Sequence, residues 1–283
     1  MLSQHAQVYN IGQIRDLPLA LLEQEICSCD QPVPSCSYWG AVVAQVEKLH
    51  GAGALQALTE GMQLFRKAAN ADPRWGELAV RKALTQDHAV FLEAFRDLYI
   101  AAAAQAGGRL LVDSSKSVDL CLALSLIPEI DLHVLNLVRD PRAVAVSWAK
   151  VLKRPAVLRG RTRNWAGRQR RLQVIRDLNP HRFMRLRYED LTERPRHWIE
   201  AIQDWAGLTP DLSLFTSRNT ADISWLDTHL FPPANATVLK ERRTDIVITP
   251  AEGWKHSKNA HLHAMAEEVT FPYAETLGYR RDS

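Results

Sequence analysis

Three short apolar runs, set apart by segments of helix length, constrain this chain more than any other feature. RLLVD (109–113), HVLNLV (133–138) and RFMRLRY (182–188) are each too short for a helix and suit buried strands. Segments 117–126 and 161–177 fit helices between them. Strands alternating with helices predict an α/β fold, a parallel sheet with helices on both faces. HAQVY (5–9) predicts a further short strand, ended by Asn10-Ile11-Gly12. Helices are expected near 15–25 and 39–49. Leu55, Leu58, Met62 and Phe65, then Phe91, Phe95 and Leu98, recur at helical spacing as core stripes. Pro195 suits the first turn of another helix, with Trp198, Ile202 and Trp205 on its inner face. Residues 207–250 lack periodicity and are expected to be loop-rich, and a last helix is expected over 258–277, ended by Gly278. The expectation is a single domain with its core over residues 1–206 and a loop-rich C-terminal flap and final helix over 207–283.

Composition adds bounds. Hydrophobic residues make up 46% and charged residues 24%, ordinary for a soluble globular chain. No run approaches the roughly 20 apolar residues of a membrane helix. The N-terminus lacks the basic, apolar, small-residue pattern of a secretion signal, so a cytoplasmic location is expected. The net charge of +3 is gathered in one place. Arg139, Arg142, Lys150, Lys153, Arg154, Arg159, Arg161, Arg163, Arg168, Arg170 and Arg171 fall in one segment whose sole acid is Asp140. Such a cluster suits an anionic ligand, or else a solvated helix face. Cys27, Cys29 and Cys36 lie in CSCDQPVPSC, with Cys121 far off. C-x-C-x6-C could give three thiolates to zinc, but no paired second half follows. A disulfide there would be unusual in a cytoplasm. Ordinary thiols are the reading taken, and no metal is expected.

The segment NLVRDPRAVAVSW (136–148) carries the chemistry. An apolar strand runs into Arg139, Asp140 can cap the next helix, and Pro141 sits at the first helical position, where a missing N–H costs nothing. Arg139 is thus placed at the carboxyl end of a parallel strand, where open α/β sheets bind ligands. Ser147 lies two turns along that helix. An arginine and a hydroxyl converging there would hold a phosphate. The plain alternative is a capped helix whose arginine pairs with a carboxylate.

RDPRAVAVS (139–147) resembles the 3'-phosphate signature of sulfotransferases that use 3'-phosphoadenosine-5'-phosphosulfate (PAPS). LLVDSSKS (110–117), LRYEDLTERP (186–195), GWK (253–255) and LGYR (277–280) are similar to further segments of that family, and NIGQIRDL (10–17) and CSCDQPVPSCSYW (27–39) to a bacterial branch. The resemblance implies a P-loop-NTPase-like fold, PAPS as co-substrate without a metal, and a 3'-phosphate held by Arg139 and Ser147 with Tyr188 near the nucleotide. The family opens with a strand and a G-x-x-R-S-G-T phosphate loop, which is not found here. The expectation is therefore a chain truncated at its front, lacking the first strand and half of the donor site, with its activity in doubt.

The implied reaction is sulfuryl transfer to a hydroxyl or amine of a small-molecule or carbohydrate acceptor. Asp113, ending a strand, is the candidate base, or else a cap for the helix at 117–126. Lys116 is the candidate partner of sulfonate oxygens, or a solvated lysine. His229 is a weaker alternative base. Arg242, Arg243 and Lys255 are weaker candidates for the 3'-phosphate. Two rival readings stand beside the enzyme. One is a non-catalytic remnant binding adenosine 3',5'-bisphosphate weakly or not at all. The other is a nucleic-acid binder using residues 139–171, with Trp148 and Trp165 as stacking platforms; no nucleic acid is expected as partner on the favoured reading.

Overall fold

The computed structural model describes residues 1–152, 154–232 and 236–281, so Lys153 of the basic run lies outside the described residues. In chain order the elements are β1 (Val8–Gly12), α1 (Leu17–Leu22), α2 (Ser37–His50), α3 (Ala54–Ala71), α4 (Leu78–Asp87), α5 (Ala89–Gln105), β2 (Leu110–Asp113) and α6 (Val118–Ser125). There follow β3 (Val134–Val138), α7 (Pro141–Ala149), α8 (Pro155–Leu178), β4 (Phe183–Arg187), α9 (Tyr188–Glu193) and α10 (Pro195–Trp205). The last are β5 (Thr220–Asp222), α11 (Ala236–Glu241), β6 (Asp245–Val247) and α12 (Ala260–Thr270). The chain divides into two compact units: residues 1–132 with 196–247, and residues 133–195 with 248–283.

In the first unit β1 and β2 pair in parallel, Val8 opposite Leu110. Around them α2, α3 and α5 bury the expected stripes. Leu55, Leu58 and Phe65 are buried on α3, and Phe91, Phe95 and Leu98 on α5. The rings of Phe65, Phe91, Phe95 and Tyr99 follow one another at centroid distances of 5.7, 5.3 and 5.1 Å. Gly61 permits this packing, since a Cβ there would stand 2.8 Å from a ring carbon of Phe91. On α10 the buried face is Ile199, Ile202 and Gln203, while Trp198 and Trp205 are half-buried. Gln203 earns its burial by bonding both the N–H (2.8 Å) and the carbonyl (3.0 Å) of Asp211. Between 207 and 250 the described chain holds only the antiparallel pair β5–β6 and the short α11.

In the second unit β3 and β4 pair in parallel from Val134–Phe183 to Val138–Arg187. The expected single parallel sheet is therefore corrected to two parallel pairs in separate sheets. The reason is local. A strand edge is extended only by another strand, and among the described residues none pairs with the second edge of β1, β2, β3 or β4. Within this unit Val138, Trp165, Ala166, Phe271, Ala274, Leu277 and Tyr279 form one apolar cluster. Asn136 on β3 donates to Gln169 on α8 (2.8 Å), both side chains buried. The last helix ends at Thr270, short of the expected 277. Pro272 lacks a donor for another turn, and Phe271 is extended at the cap (φ −87°, ψ 147°); residues Tyr273–Leu277 then form a separate 3-10 turn, closed at Gly278 with φ 86°.

Arg142 joins three parts of this unit. Its side chain is 4% exposed and makes a two-point pair with Asp140, Nε to Oδ1 (3.1 Å) and Nη2 to Oδ2 (2.7 Å). Its Nη1 donates to Glu267 Oε1 on α12 (3.2 Å) and to the carbonyl of Arg281 (3.0 Å). Removing one member of a buried pair strands the other's charge, at a cost of about 3–5 kcal/mol. Arg142→Met is expected to lower unfolding stability by about that much, as read by chemical denaturation. A loss under about 1 kcal/mol, the range of surface pairs, would contradict this role.

Candidate functional site

The turn from β3 into α7 places Arg139. Asp140 takes the cap position, its carboxylate accepting from the N–H of Arg142 (2.8 Å), and Pro141 starts the helix. The junction is held further on its other side. The N–H of Asp140 donates to Glu189 Oε1 (3.0 Å), and the phenol of Tyr279 donates to Glu189 Oε2 (3.1 Å). Burial, with Glu189 beside it, holds the Tyr279 phenol well above its ordinary pKa, so it stays a donor. The carbonyl of Arg139 accepts from the indole of Trp165 (3.2 Å). The Arg139 guanidinium is left to face Tyr188, its carbon 4.6 Å from the ring centroid. It has no ion pair with any described residue.

Arg139 and Tyr188 line a cavity of about 550 Å³ in the second unit. Arg187, Trp254, Lys255 and Tyr279 also line it, so the GWK segment reaches the same place as the RDPR turn. Of the acids there, Asp140 and Glu189 are consumed by the bonds above, and Glu193 lines it as an exposed carboxylate. Glu252 pairs with Lys255 (2.7 Å) at the surface. Arg187 packs over the Tyr279 ring (4.9 Å), and its Nε is buried without a hydrogen-bond acceptor, the nearest carboxylate oxygen being Asp190 Oδ2 at 3.9 Å. A buried donor without an acceptor costs about 1–3 kcal/mol. An anion entering the cavity would meet the uncommitted Arg139 guanidinium.

The other expected residues are placed as follows. Ser147 is exposed on α7 and is not among the residues that line this cavity. Asp113, Lys116, His229, Arg242 and Arg243 belong to the first unit. Arg242 is paired with Asp30 (2.6 Å) and Arg243 with Glu241 (3.0 Å). The ring of His229 stands against thiols, Nδ1 3.1 Å from Cys36 Sγ. Asp113 ends β2, and the turn after it is tied to the carboxyl end of β1, where Ser114 N–H donates to the carbonyl of Gly12 (2.6 Å). Ser117, not Asp113, caps α6. Asp113 instead accepts from Ser115 N–H (2.8 Å), Ser115 Oγ (2.6 Å) and Tyr99 Oη (2.7 Å). Lys116 is exposed with φ 55°, a left-handed conformation that turns the chain toward α6. Arg142 and Glu189, which fix the Arg139 turn, were not among the expected residues.

A family model described as the sulfotransferase family matches residues 21–211. The chain belongs to the sulfotransferase family. Two solved structures are similar to it. The sulfotransferase domain from the Synechococcus PCC 7002 olefin synthase is 19% identical, with 96% of this chain and 94% of that chain covered at a TM-score of 0.49. The sulfotransferase domain from the curacin biosynthetic pathway is 16% identical, with 96% and 97% covered at 0.44. No curated protein sequence matches. No helix of the described residues is long and apolar enough to cross a membrane. For a member of the sulfotransferase family, the RDPR turn is thus the part of the chain whose geometry can be read against an anionic ligand.

Burial lifts the Asp113 carboxyl above its ordinary pKa, against the pull of its Ser115 and Tyr99 bonds. The folded state therefore keeps a proton that the unfolded state releases near roughly pH 4. Stability contributed by this group falls as pH rises from there through the folded value. Relative to Asp113→Asn, the wild type is expected to lose stability as pH is raised from roughly 4 toward neutrality, measured by denaturation at a series of pH values. A difference between the two that stays constant with pH would contradict the assignment.

Proposed function

We propose that this chain is a PAPS-using sulfotransferase whose 3'-phosphate subsite is the Arg139–Tyr188 cavity, and that its acceptor is a hydroxyl or amine of a small molecule or carbohydrate. The observation that carries the reading is the uncommitted Arg139 guanidinium at the carboxyl end of β3, backed by the Tyr188 ring and opening on the cavity. A cavity of about 550 Å³ suits a ligand of nucleotide size. A guanidinium there would bind phosphate oxygens by charge-assisted bonds. The proposal does not rest on Ser147. Arg242 and Arg243 are left out of the subsite because both are held in ion pairs.

In the proposed reaction an acceptor oxygen attacks the sulfur of PAPS as the bond from sulfur to the 5'-phosphate oxygen breaks. Adenosine 3',5'-bisphosphate leaves with the electron pair, and the acceptor's proton passes to a base. Asp113 is the proposed base. Burial raises its carboxyl toward the range where a general base works. Lys116, exposed one turn on, is the proposed partner of the sulfonate oxygens. The nucleic-acid alternative loses support at two residues. Trp165 is buried and donates to a backbone carbonyl, and Arg142 is buried in ion pairs, so neither is offered to bases or backbone phosphates.

Adenosine 3',5'-bisphosphate is expected to raise the melting temperature of the full chain, because it binds the folded state alone. Arg139→Ala is expected to weaken that binding at least tenfold, the scale of roughly 1.5–3 kcal/mol for a hydrogen bond to a charged group. Unchanged affinity in the variant would remove Arg139 from the subsite. Binding by the wild type without consumption of PAPS across hydroxyl and amine acceptors would favour the non-catalytic alternative.

A further inference from the structure

Four metal-ligating side chains meet in the first unit. Cys27, Cys29, Cys36 and His229 each offer one ligand atom, and the four atoms lie within 4.8 Å of one another. Cys29 Sγ is 3.6 Å from Cys36 Sγ, and His229 Nδ1 is 3.1 Å from Cys36 Sγ and 3.8 Å from Cys27 Sγ. Tetrahedral zinc, with bonds of about 2.3 Å to sulfur and 2.0–2.1 Å to nitrogen, separates two sulfurs by roughly 3.8 Å and a sulfur from a nitrogen by roughly 3.5 Å. Cys27 and Cys36 are buried, Cys29 and His229 half-buried, and none of the three thiols is in a disulfide.

We propose that these four residues form a structural Cys3His zinc site. The surrounding bonds hold the donors in place without a metal. The Cys27–Gln31 turn is closed by Cys27 N–H on the Gln31 carbonyl (2.9 Å) and Asp30 N–H on the Cys27 carbonyl (2.9 Å), with Asp30 at φ 63°. Between the two cysteines of that turn, Ser28 clamps the distant segment. Its N–H donates to the carbonyl of Leu230 (2.7 Å), its hydroxyl donates to the carbonyl of Thr228 (2.7 Å), and that hydroxyl accepts from Leu230 N–H (2.9 Å). His229 is therefore fixed on both sides. Its carbonyl accepts from the indole of Trp39 (2.6 Å), and its ring stacks on Tyr38 at 5.4 Å and 11°. Cys36 stands at the cap of α2, a 14-residue helix whose amino end favours a thiolate.

The donor set selects the metal. Three thiolates and one imidazole suit zinc in tetrahedral geometry, and four protein ligands leave no open position for catalysis. Three thiolates and one divalent ion leave a net charge of −1. Arg242, itself paired with Asp30, lines one surface cavity with Cys27. The site would tie the 27–36 segment to a residue 193 positions from Cys36, so the metal would stabilise the fold and not the reaction. The segment 27–36 offers three thiols and no second ligand pair at short spacing. One histidine completes the set instead.

The test is metal analysis of the full chain, purified without chelator or affinity metal. About one zinc per chain is expected, as for a closed four-ligand site. Cys36→Ser and His229→Ala are each expected to lower that content severalfold, while Cys121→Ser, outside the cluster, leaves it unchanged. Should a variant fail to fold, the wild type still decides the matter. Mercurial titration of its thiols is expected to release the zinc as three thiols react, and cobalt put in its place is expected to give a tetrahedral spectrum with thiolate charge-transfer bands. Substoichiometric zinc unaffected by Cys36→Ser, or a Cys29–Cys36 disulfide in protein made under reducing conditions, would overturn the proposal.

Discussion

At the junction of β3 and α7 two charges, Asp140 and Arg142, are taken out of water side by side, and the rest of the second unit is arranged around them. The carboxylate spends one oxygen on a helix N–H and the guanidinium, and the other on the guanidinium alone. An isolated charge in that position would be several kcal/mol less stable. Each remaining donor of Arg142 goes to a different piece of chain, Glu267 on α12 and the carbonyl of Arg281. The outcome is a turn whose direction is set by paired charge. Because Arg142 satisfies Asp140, and Asp140 N–H and Tyr279 occupy Glu189, the neighbouring Arg139 is left without a carboxylate.

What was legible from the amino-acid order was local. The apolar run 133–138, an aspartate that caps and a proline that starts a helix fall within a few residues of each other, and the β3–α7 turn follows from them. The core stripes of α3 and α5 were legible for the same reason, since helical spacing repeats within one element. Contacts made at long range were not. Arg142 and Glu267 are 125 positions apart, and nothing near either one marks the other as its partner. His229 meets Cys36 across 193 positions, and nothing in CSCDQPVPSC points to that histidine. Alternation of strands and helices announced parallel pairing but not which strands are neighbours, and two pairs stand where one sheet was expected. The end of α12 was readable, because Pro272 forbids its continuation, but Gly278 gave the louder stop signal. The helix α4 buries one side chain, Leu84, and so carries no repeating core stripe.

The two candidate sites use opposite physics. In the proposed Arg139 subsite a cation without an ion pair would take an anion from solution. In the proposed cysteine site three thiols and an imidazole would take a cation. Both depend on neighbouring bonds that orient the donors beforehand, Asp140 N–H on Glu189 in one case and Ser28 on residues 228–230 in the other. Preorganisation of that kind lets a small number of side chains discriminate a ligand by charge and shape.

The most direct measurement of the central claim is a ligand cycle by calorimetry, pairing adenosine 3',5'-bisphosphate and adenosine 5'-monophosphate with the wild type and with Arg139→Ala. If Arg139 reads the 3'-phosphate, the wild type prefers the bisphosphate by an order of magnitude or more, and the variant loses most of that preference while its affinity for the monophosphate changes little. A preference that survives intact in the variant, or a wild type that does not tell the two nucleotides apart, contradicts the account.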